Sequence, residues 1–271
     1  MRESEQDQQR KMLDRWSRLN GARSALNQAA LIIRRGSGSP ETLRVKVGAM
    51  TRTALLSVLG SLAFAAFLGA CLFVSAGRWD LPWFCAYLAV WAAAMVSGSF
   101  LIDPTLVRER LRPGPGGKDY GTVIVLSALM LGQSVVAGLD VGRFHWSDGV
   151  PPAVQGAGLM AVAAALAVVV WAMAVNRFFS PVIRIQTDRG HHLVMSGPYR
   201  YVRHPAYAAF PFLMVGSGLA LGSWLAALIG LLLVPPVVRR AALEDRVLRE
   251  QLEGYAAYAQ EVRYRMFPGV W

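Results

Sequence analysis

Cysteine is scarce in this 271-residue sequence: Cys71 and Cys85 are the only two, and no CxxC pair occurs. That excludes a disulfide framework and a thiolate metal centre, and reads both thiols as small apolar packing residues. Histidine is nearly as rare, with four copies and no His-x3-His spacing, so the adjacent pair His191-His192 makes a poor zinc set and no metal is expected. A glycine-rich dinucleotide loop and a GxSxG nucleophile elbow are both missing, which sets Ser196 aside as a nucleophile. A secretory leader is not expected, because a polar stretch of roughly fifty residues precedes the first apolar run. Nor is there a repeat of the kind inverted-repeat transporters carry.

Hydrocarbon is what the chain has in quantity. It is 54% hydrophobic, and apolar runs near 54–76, 82–102, 121–139 and 154–175 approach the ~20 residues that cross a bilayer. A tighter pair follows near 205–221 and 223–238, hinged on Gly222-Ser223. The expected fold is therefore an all-α, polytopic helical membrane protein. It has about five to six transmembrane helices, the last two forming a hairpin. A large soluble domain is excluded.

Basic residues outnumber acidic ones, 28 to 17. Placement argues against nucleic acid as their partner. All but Arg78 and Arg143 fall in segments 1–53, 103–120, 176–204 and 239–271. Six alternating spans put those four segments on one face, as the positive-inside rule requires. The expected topology has both termini and the 176–204 segment in the cytoplasm. Anionic lipid is a secondary target for the same charge.

Three regions follow: a polar N-terminal part (1–53), four transmembrane helices (54–175) and a C-terminal part (176–271). In the first, Met12, Trp16, Leu19, Leu26 and Ile33 share a helical face, which fits either a helix lying on the bilayer or a loosely ordered tail. The 103–120 loop, with its Arg112-Pro-Gly-Pro-Gly-Gly117 breakers, reads as a plain connection. His145, in the 140–150 loop, stands on the other face.

The chemistry concentrates after residue 176. A largely polar stretch of nearly thirty residues, 176–204, lies between two apolar runs, and loops of this length usually carry function or disorder; its aromatic and aliphatic residues favour function over disorder. Asp188 to Ser196 leads into Gly197-Pro-Tyr-Arg-Tyr-Val-Arg-His-Pro-Ala-Tyr207. Pro205 suits the first position of a helix, so Arg203 and His204 would stand at an N-terminus that favours anions. Because the hairpin turn is a single Gly-Ser, its two ends must be adjacent. Glu244 and Asp245 can then approach Arg203 and His204, with a tail carrying Tyr255 and Tyr258 closing over them. Arginine suits a carboxylate acceptor, and a carboxylate base suits an amine. Both are present.

These same residues resemble the isoprenylcysteine carboxyl methyltransferase family, within a superfamily that includes phospholipid N-methyltransferases. The resemblance rests on His191-His-Leu-Val-Met-Ser-Gly197, Arg203-His-Pro-Ala-Tyr207, Glu244-Asp245, Tyr255-Ala-Ala-Tyr258 and a terminal Arg-Met-Phe-Pro, across roughly 170–271. It implies a cytoplasmic S-adenosyl-L-methionine pocket open to lipid, and a lipid-like or prenylated acceptor methylated on a carboxylate or an amine. By that likeness His191, Leu193, Val194, Gly197, Tyr199, His204, Tyr207 and Glu244 would hold the cofactor. Arg203, Glu244 and Asp245 would lie nearest the transferred methyl. Asp245 departs from the family's usual second glutamate. The membrane expected is a bacterial inner one. Two other readings compete: an NADPH-dependent reductase resembling the sterol-reductase group, where asparagine usually stands in place of Ala206, and a non-enzymatic membrane scaffold.

Overall fold

A computed structural model describes the backbone of residues 40–271 apart from Asp148, with side chains from Leu55 onward. The expected surface helix through Met12, Trp16, Leu19, Leu26 and Ile33 lies outside the described residues. The helices are α1 (Pro40–Ala76), α2 (Pro82–Leu101), α3 (Pro104–Leu111), α4 (Tyr120–Leu139), α5 (Pro152–Val175), α6 (Pro205–Ala220), α7 (Trp224–Leu232), α8 (Val234–Gln251) and α9 (Tyr255–Glu261). Five of them open on proline, whose fixed φ and missing N–H suit that position. Among the described residues no strand forms, and the one β-like contact joins Lys118 to Ile183.

Five apolar stretches are long enough to cross a bilayer: 55–76, 82–101, 120–144, 152–175 and 224–251, with α6 a shorter sixth. The protein is an all-α integral membrane protein. The last span runs further than the expected 223–238 and is interrupted at Leu233. Pro235 and Pro236 cannot donate to the carbonyls of Leu231 and Leu232, so the helix restarts there instead of ending.

Water cannot drive helices together inside a bilayer, so close packing and buried hydrogen bonds take over. α6 packs most extensively on α5 and α7. A Cβ on Gly158 of α5 would stand 2.8 Å from the Gly216 carbonyl of α6. One on Gly218 would stand 2.1 Å from the Ala227 amide of α7. Polar ties complete the arrangement. Gln133 of α4 donates to the carbonyls of Met214 (2.7 Å) and Ala226 (2.8 Å). At the hairpin tip, Ser223 donates to the fully buried Asp140, which also accepts from the Ser147 amide at 2.7 Å. The α6–α7 hairpin is thus pinned to the far end of α4, and its open end carries the motif residues.

Gly218→Ala should lower the thermal midpoint of the detergent-solubilised protein, by about 1–3 kcal/mol of stability, because backbone must move to admit the methyl. Gly132→Ala, where no atom lies within 4 Å of the new Cβ, should not. Equal midpoints in a thermal-shift scan would refute the close approach.

Candidate active site

The linker between α5 and α6 is ordered around Phe178, whose ring is buried. Arg177 and Arg189 lie over that ring at 5.0 and 5.7 Å, and His191 and His192 pack on it at 4.6 and 4.8 Å. Beneath it Gln186, fully buried, donates to the Phe178 carbonyl at 2.6 Å, and Arg189 donates to its side-chain oxygen. The Gln186 amide donates to His191 Nδ1 at 3.2 Å. His191 therefore carries its proton on Nε2 when neutral. Burial first, then the positive neighbours His192, Arg184 and Arg189, push its pKa down to about 4.

The 103–120 segment is not the plain connection expected from its glycines and prolines. Asp103 caps α3 by accepting from the Thr105 amide at 2.7 Å. That helix delivers Glu109 to Arg184 in a two-pronged contact, both arms 2.8 Å, while Asp188 takes a third guanidinium donor at 2.8 Å. Burial pushes the Glu109 carboxyl up, but the Arg184 and Ser180 hydrogen bonds outweigh it and hold it below its ordinary range. The same segment ends on Asp119, which accepts from Arg240 at 2.8 Å.

A cavity of about 250 Å³ lies between this linker and the starts of α4, α6 and α8. Eight of the residues singled out from sequence line it: His191, Leu193, Val194, Tyr199, Arg203, His204, Tyr207 and Glu244. Val123, Leu126, Phe210 and Val237 supply an apolar wall from the membrane helices. A chain of hydrogen bonds crosses the floor. Arg240 Nε donates to the Tyr207 hydroxyl (2.9 Å), which donates to Glu244 Oε2 (2.7 Å). Glu244 Oε1 accepts no hydrogen bond among the described residues. Tyr199 is fixed from both sides, its hydroxyl taking Asn176 Nδ2 at 3.1 Å and its carbonyl taking the Tyr258 hydroxyl at 2.7 Å. Burial pushes that phenol above its ordinary range.

Arg203 and Asp245 meet as a pair. Arg203 donates to both Asp245 oxygens at 2.7 and 3.1 Å, and to the carbonyls of Val262 and Arg263 at 2.7 and 2.8 Å. Asp245 further accepts from Arg249 (3.0 Å), Arg265 (2.9 Å) and the Tyr255 hydroxyl (3.0 Å). Both side chains are only 1% exposed, and Asp245 is not among the cavity-lining residues. The N-terminus of α6 does not offer every amide to an anion: those of Arg203 and His204 donate to the tail carbonyls of Tyr264 and Arg265 at 3.0 and 2.8 Å. His204 Nε2 is buried, lies 3.5 Å from Asp245 Oδ1 and has no hydrogen-bond partner. Gly197 sits outside the cavity at φ +60°, where its Cα faces Trp171 and Val175. It makes the turn that places Tyr199.

Sequence reasoning overlooked Glu109, Arg110 and Asp119. The one available signal was Asp103-Pro104-Thr105, a helix start followed by Glu109 as the sole acid before Asp119.

Fold and site together define a polytopic α-helical membrane protein with a polar, carboxylate-bearing cavity open toward apolar helices. Residues 154–250, α5 to nearly the end of α8, match the model of the Isoprenylcysteine carboxyl methyltransferase (ICMT) family, and over that stretch the chain is similar to it. No curated protein matches the chain.

His191 sets a pH dependence with a definite sign. Its folded pKa lies below the ordinary 6.5, so the unfolded chain binds the extra proton. Stability should fall as pH drops through 6.5 toward about 4, then level off. Chemical unfolding of His191→Gln across that window should give a flatter profile than wild type. Superimposable profiles would contradict the neutral His191.

Proposed function

We propose that the protein is an S-adenosyl-L-methionine-dependent methyltransferase of the membrane, acting on a lipid-like acceptor. One observation carries most weight: Glu244 presents an unshared carboxylate oxygen to a cavity that also has a wall of membrane-helix side chains. A cationic cofactor and an apolar acceptor need those two surfaces side by side. We assign the work to residues 176–271 with help from the 103–120 segment, and regard 54–175 as the scaffold and 1–53 as a separate cytoplasmic region.

The residues fit such a cofactor. Glu244 Oε1 and the Tyr207 and Tyr199 rings suit its positive groups. Neutral His191 can donate from Nε2. His204 Nε2 is buried with Asp245 Oδ1 at 3.5 Å as its nearest acceptor, too long for a full hydrogen bond, so it retains donor capacity that a ligand could take up. Bound there, the cofactor would supply an electrophilic methyl group. What the protein contributes is position: displacement at a methyl needs donor and acceptor in line, and aligned reactants gain most of their rate from orientation. The Asp119–Arg240–Tyr207 chain holds Glu244 in one rotamer. The apolar wall keeps water, a competing nucleophile, away. Leu193 and Val194 give the flat part of the ligand an apolar seat.

Arg203 and Asp245 receive a different role from the one expected at the reacting end. Their charges are answered by each other, by the tail carbonyls and by Arg249 and Arg265. We place them as positioning residues that lock the tail over the start of α6. Gly197 likewise acts through the turn it permits.

Calorimetry on the purified protein should show binding of S-adenosylmethionine and S-adenosylhomocysteine but not of NADPH. Glu244→Gln should weaken S-adenosylmethionine about ten- to a hundredfold, the loss of one charge-assisted contact, and should weaken the uncharged thioether product less. NADPH binding without any response to S-adenosylhomocysteine would instead favour the reductase reading.

We place the cavity on the cytoplasmic side, since it lies on the face where the basic segments gather. In a cysteine-free background, Trp146→Cys, a 57% exposed position, should react with an impermeant maleimide in intact cells. Glu253→Cys, exposed on the opposite side, should react only after lysis. The reverse pattern would invert the topology.

A further inference from the structure

Four arginines line the cavity: Arg110, Arg184, Arg203 and Arg240. Three are neutralised within the protein. Arg184 is held by Glu109 and Asp188, Arg203 by Asp245, and Arg240 by Asp119. Arg110 differs: among the described residues no acid and no carbonyl accepts from it. Its guanidinium carbon stands 5.5 Å from the centre of Phe179, and the Tyr207 phenol across the cavity is near enough to act on its charge. A guanidinium in contact with an aromatic face keeps its N–H donors at the edge, and an edge with two parallel donors is the shape that grips a carboxylate or phosphate.

Arg110 also stands where an amphiphile would present its headgroup. It is on α3, the short helix just after membrane helix α2, and its side chain is exposed. The next residue, Leu111, is 78% exposed, as are Phe100 and Leu101 (70% and 60%) at the end of α2. Exposed leucine and phenylalanine around a cation mark the boundary between hydrocarbon and water. The start of α4 continues the boundary: Val123 and Leu126 line the cavity, whereas Ile124 and Val125 are exposed at 67% and 54%. A molecule with its tail in the bilayer can lie along α4 and bring its head to Arg110.

We propose that Arg110 is the acceptor-recognising residue, binding an anionic group of an amphiphile at the bilayer edge of the cavity. The proposal rests on the methyltransferase reading for what happens next, but the binding step stands on its own. It divides the cavity's two unanswered charges between two ligands: the Glu244 oxygen serves a cationic cofactor, and Arg110 serves an anionic acceptor. It also gives the 103–120 segment its function, since the Glu109–Arg184 contact anchors α3 and thereby fixes where Arg110 stands.

The test uses the full chain in lipid nanodiscs, with four probes measured by calorimetry. These are a farnesyl thioether carboxylic acid, its methyl ester, a farnesyl monophosphate and S-adenosylhomocysteine. Wild type should bind an anionic amphiphile at least about tenfold more tightly than the neutral ester, the worth of one charge-assisted contact. Tighter binding of the acid or of the phosphate tells which headgroup the site takes. Arg110→Gln should erase the preference and Arg110→Lys should retain only part of it, because an ammonium lacks the planar fork. S-Adenosylhomocysteine affinity should stay within about threefold in both variants. A wild type that does not distinguish acid and phosphate from ester, or an Arg110→Gln protein that still does, overturns the proposal. So does a parallel collapse of S-adenosylhomocysteine binding, which would move Arg110 to the cofactor. Absence of S-adenosylhomocysteine binding in wild type, with the anion preference intact, would instead sink the methyltransferase reading and leave Arg110 as an anionic-lipid site.

Discussion

One buried carboxylate ties the start of α6, α8 and the C-terminal tail together. Asp245 is 1% exposed and accepts from Arg203 before α6, from Arg249 on its own helix, and from Tyr255 and Arg265 in the tail. A bare charge at that depth would cost several kcal/mol, so each donor is held as firmly as it holds. Three chain segments converge because a single anion requires them. The consequence reaches the cavity: Tyr255 and Tyr258 form part of its wall only while the tail is drawn in, and Tyr258 in turn fixes Tyr199 through its carbonyl. The shorter side chain of aspartate at 245 is no obstacle to reach, since Arg203 comes to 2.7 Å.

Charge in the cavity is managed by subtraction. A site flanked by so many arginines could repel a cationic ligand. Instead Glu109, Asp188, Asp119 and Asp245 neutralise their neighbours through short, often two-pronged contacts. Such pairs add little net stability, because desolvation offsets most of their attraction. Their value is geometric: each fixes a rotamer. The Asp119–Arg240–Tyr207–Glu244 chain shows the result, with three charged groups and a phenol arranged so that one oxygen remains unanswered.

The sequence made some of this legible and hid the rest for identifiable reasons. Apolar runs and helix-opening prolines marked the spans, because length and φ are local properties. The Gly222-Ser223 turn forced the two ends of the hairpin together, so the approach of Glu244 and Asp245 to Arg203 and His204 could be reasoned out without coordinates. The partners of those residues could not. Arg184 finds Glu109 across 75 residues and Arg240 finds Asp119 across 121, and no periodicity in one sequence encodes such a pairing. A run of glycine and proline after Arg112 made the 103–120 segment look passive, although those breakers bring Gly114 close enough to donate its amide to Glu109. Arg203 was recognisable as important. Whether its guanidinium faced a ligand or the tail was not, because that depends on where residues 262–265 return.

The depth of the site follows from helix lengths. α6 has 16 residues and so spans about 24 Å at 1.5 Å per residue, short of a hydrocarbon core of roughly 30 Å. Its far end is pinned beside Asp140 and Ser147, at the end of the 120–144 stretch, which is itself long enough to cross. The start of α6, with His204 and Tyr207, therefore stops several ångströms beneath the opposite surface, on the order of the difference between those two lengths. A full-length α6 would lift these residues into water, away from any acyl or prenyl chain. The shortened one sinks them, and the polar linker around Phe178 fills the space above. Tight α6–α7 packing through Gly218 and Gly230 is what lets such a short hairpin persist among longer helices. The same shortness that makes α6 look deficient as a membrane span brings a polar cavity down toward the level of the lipid.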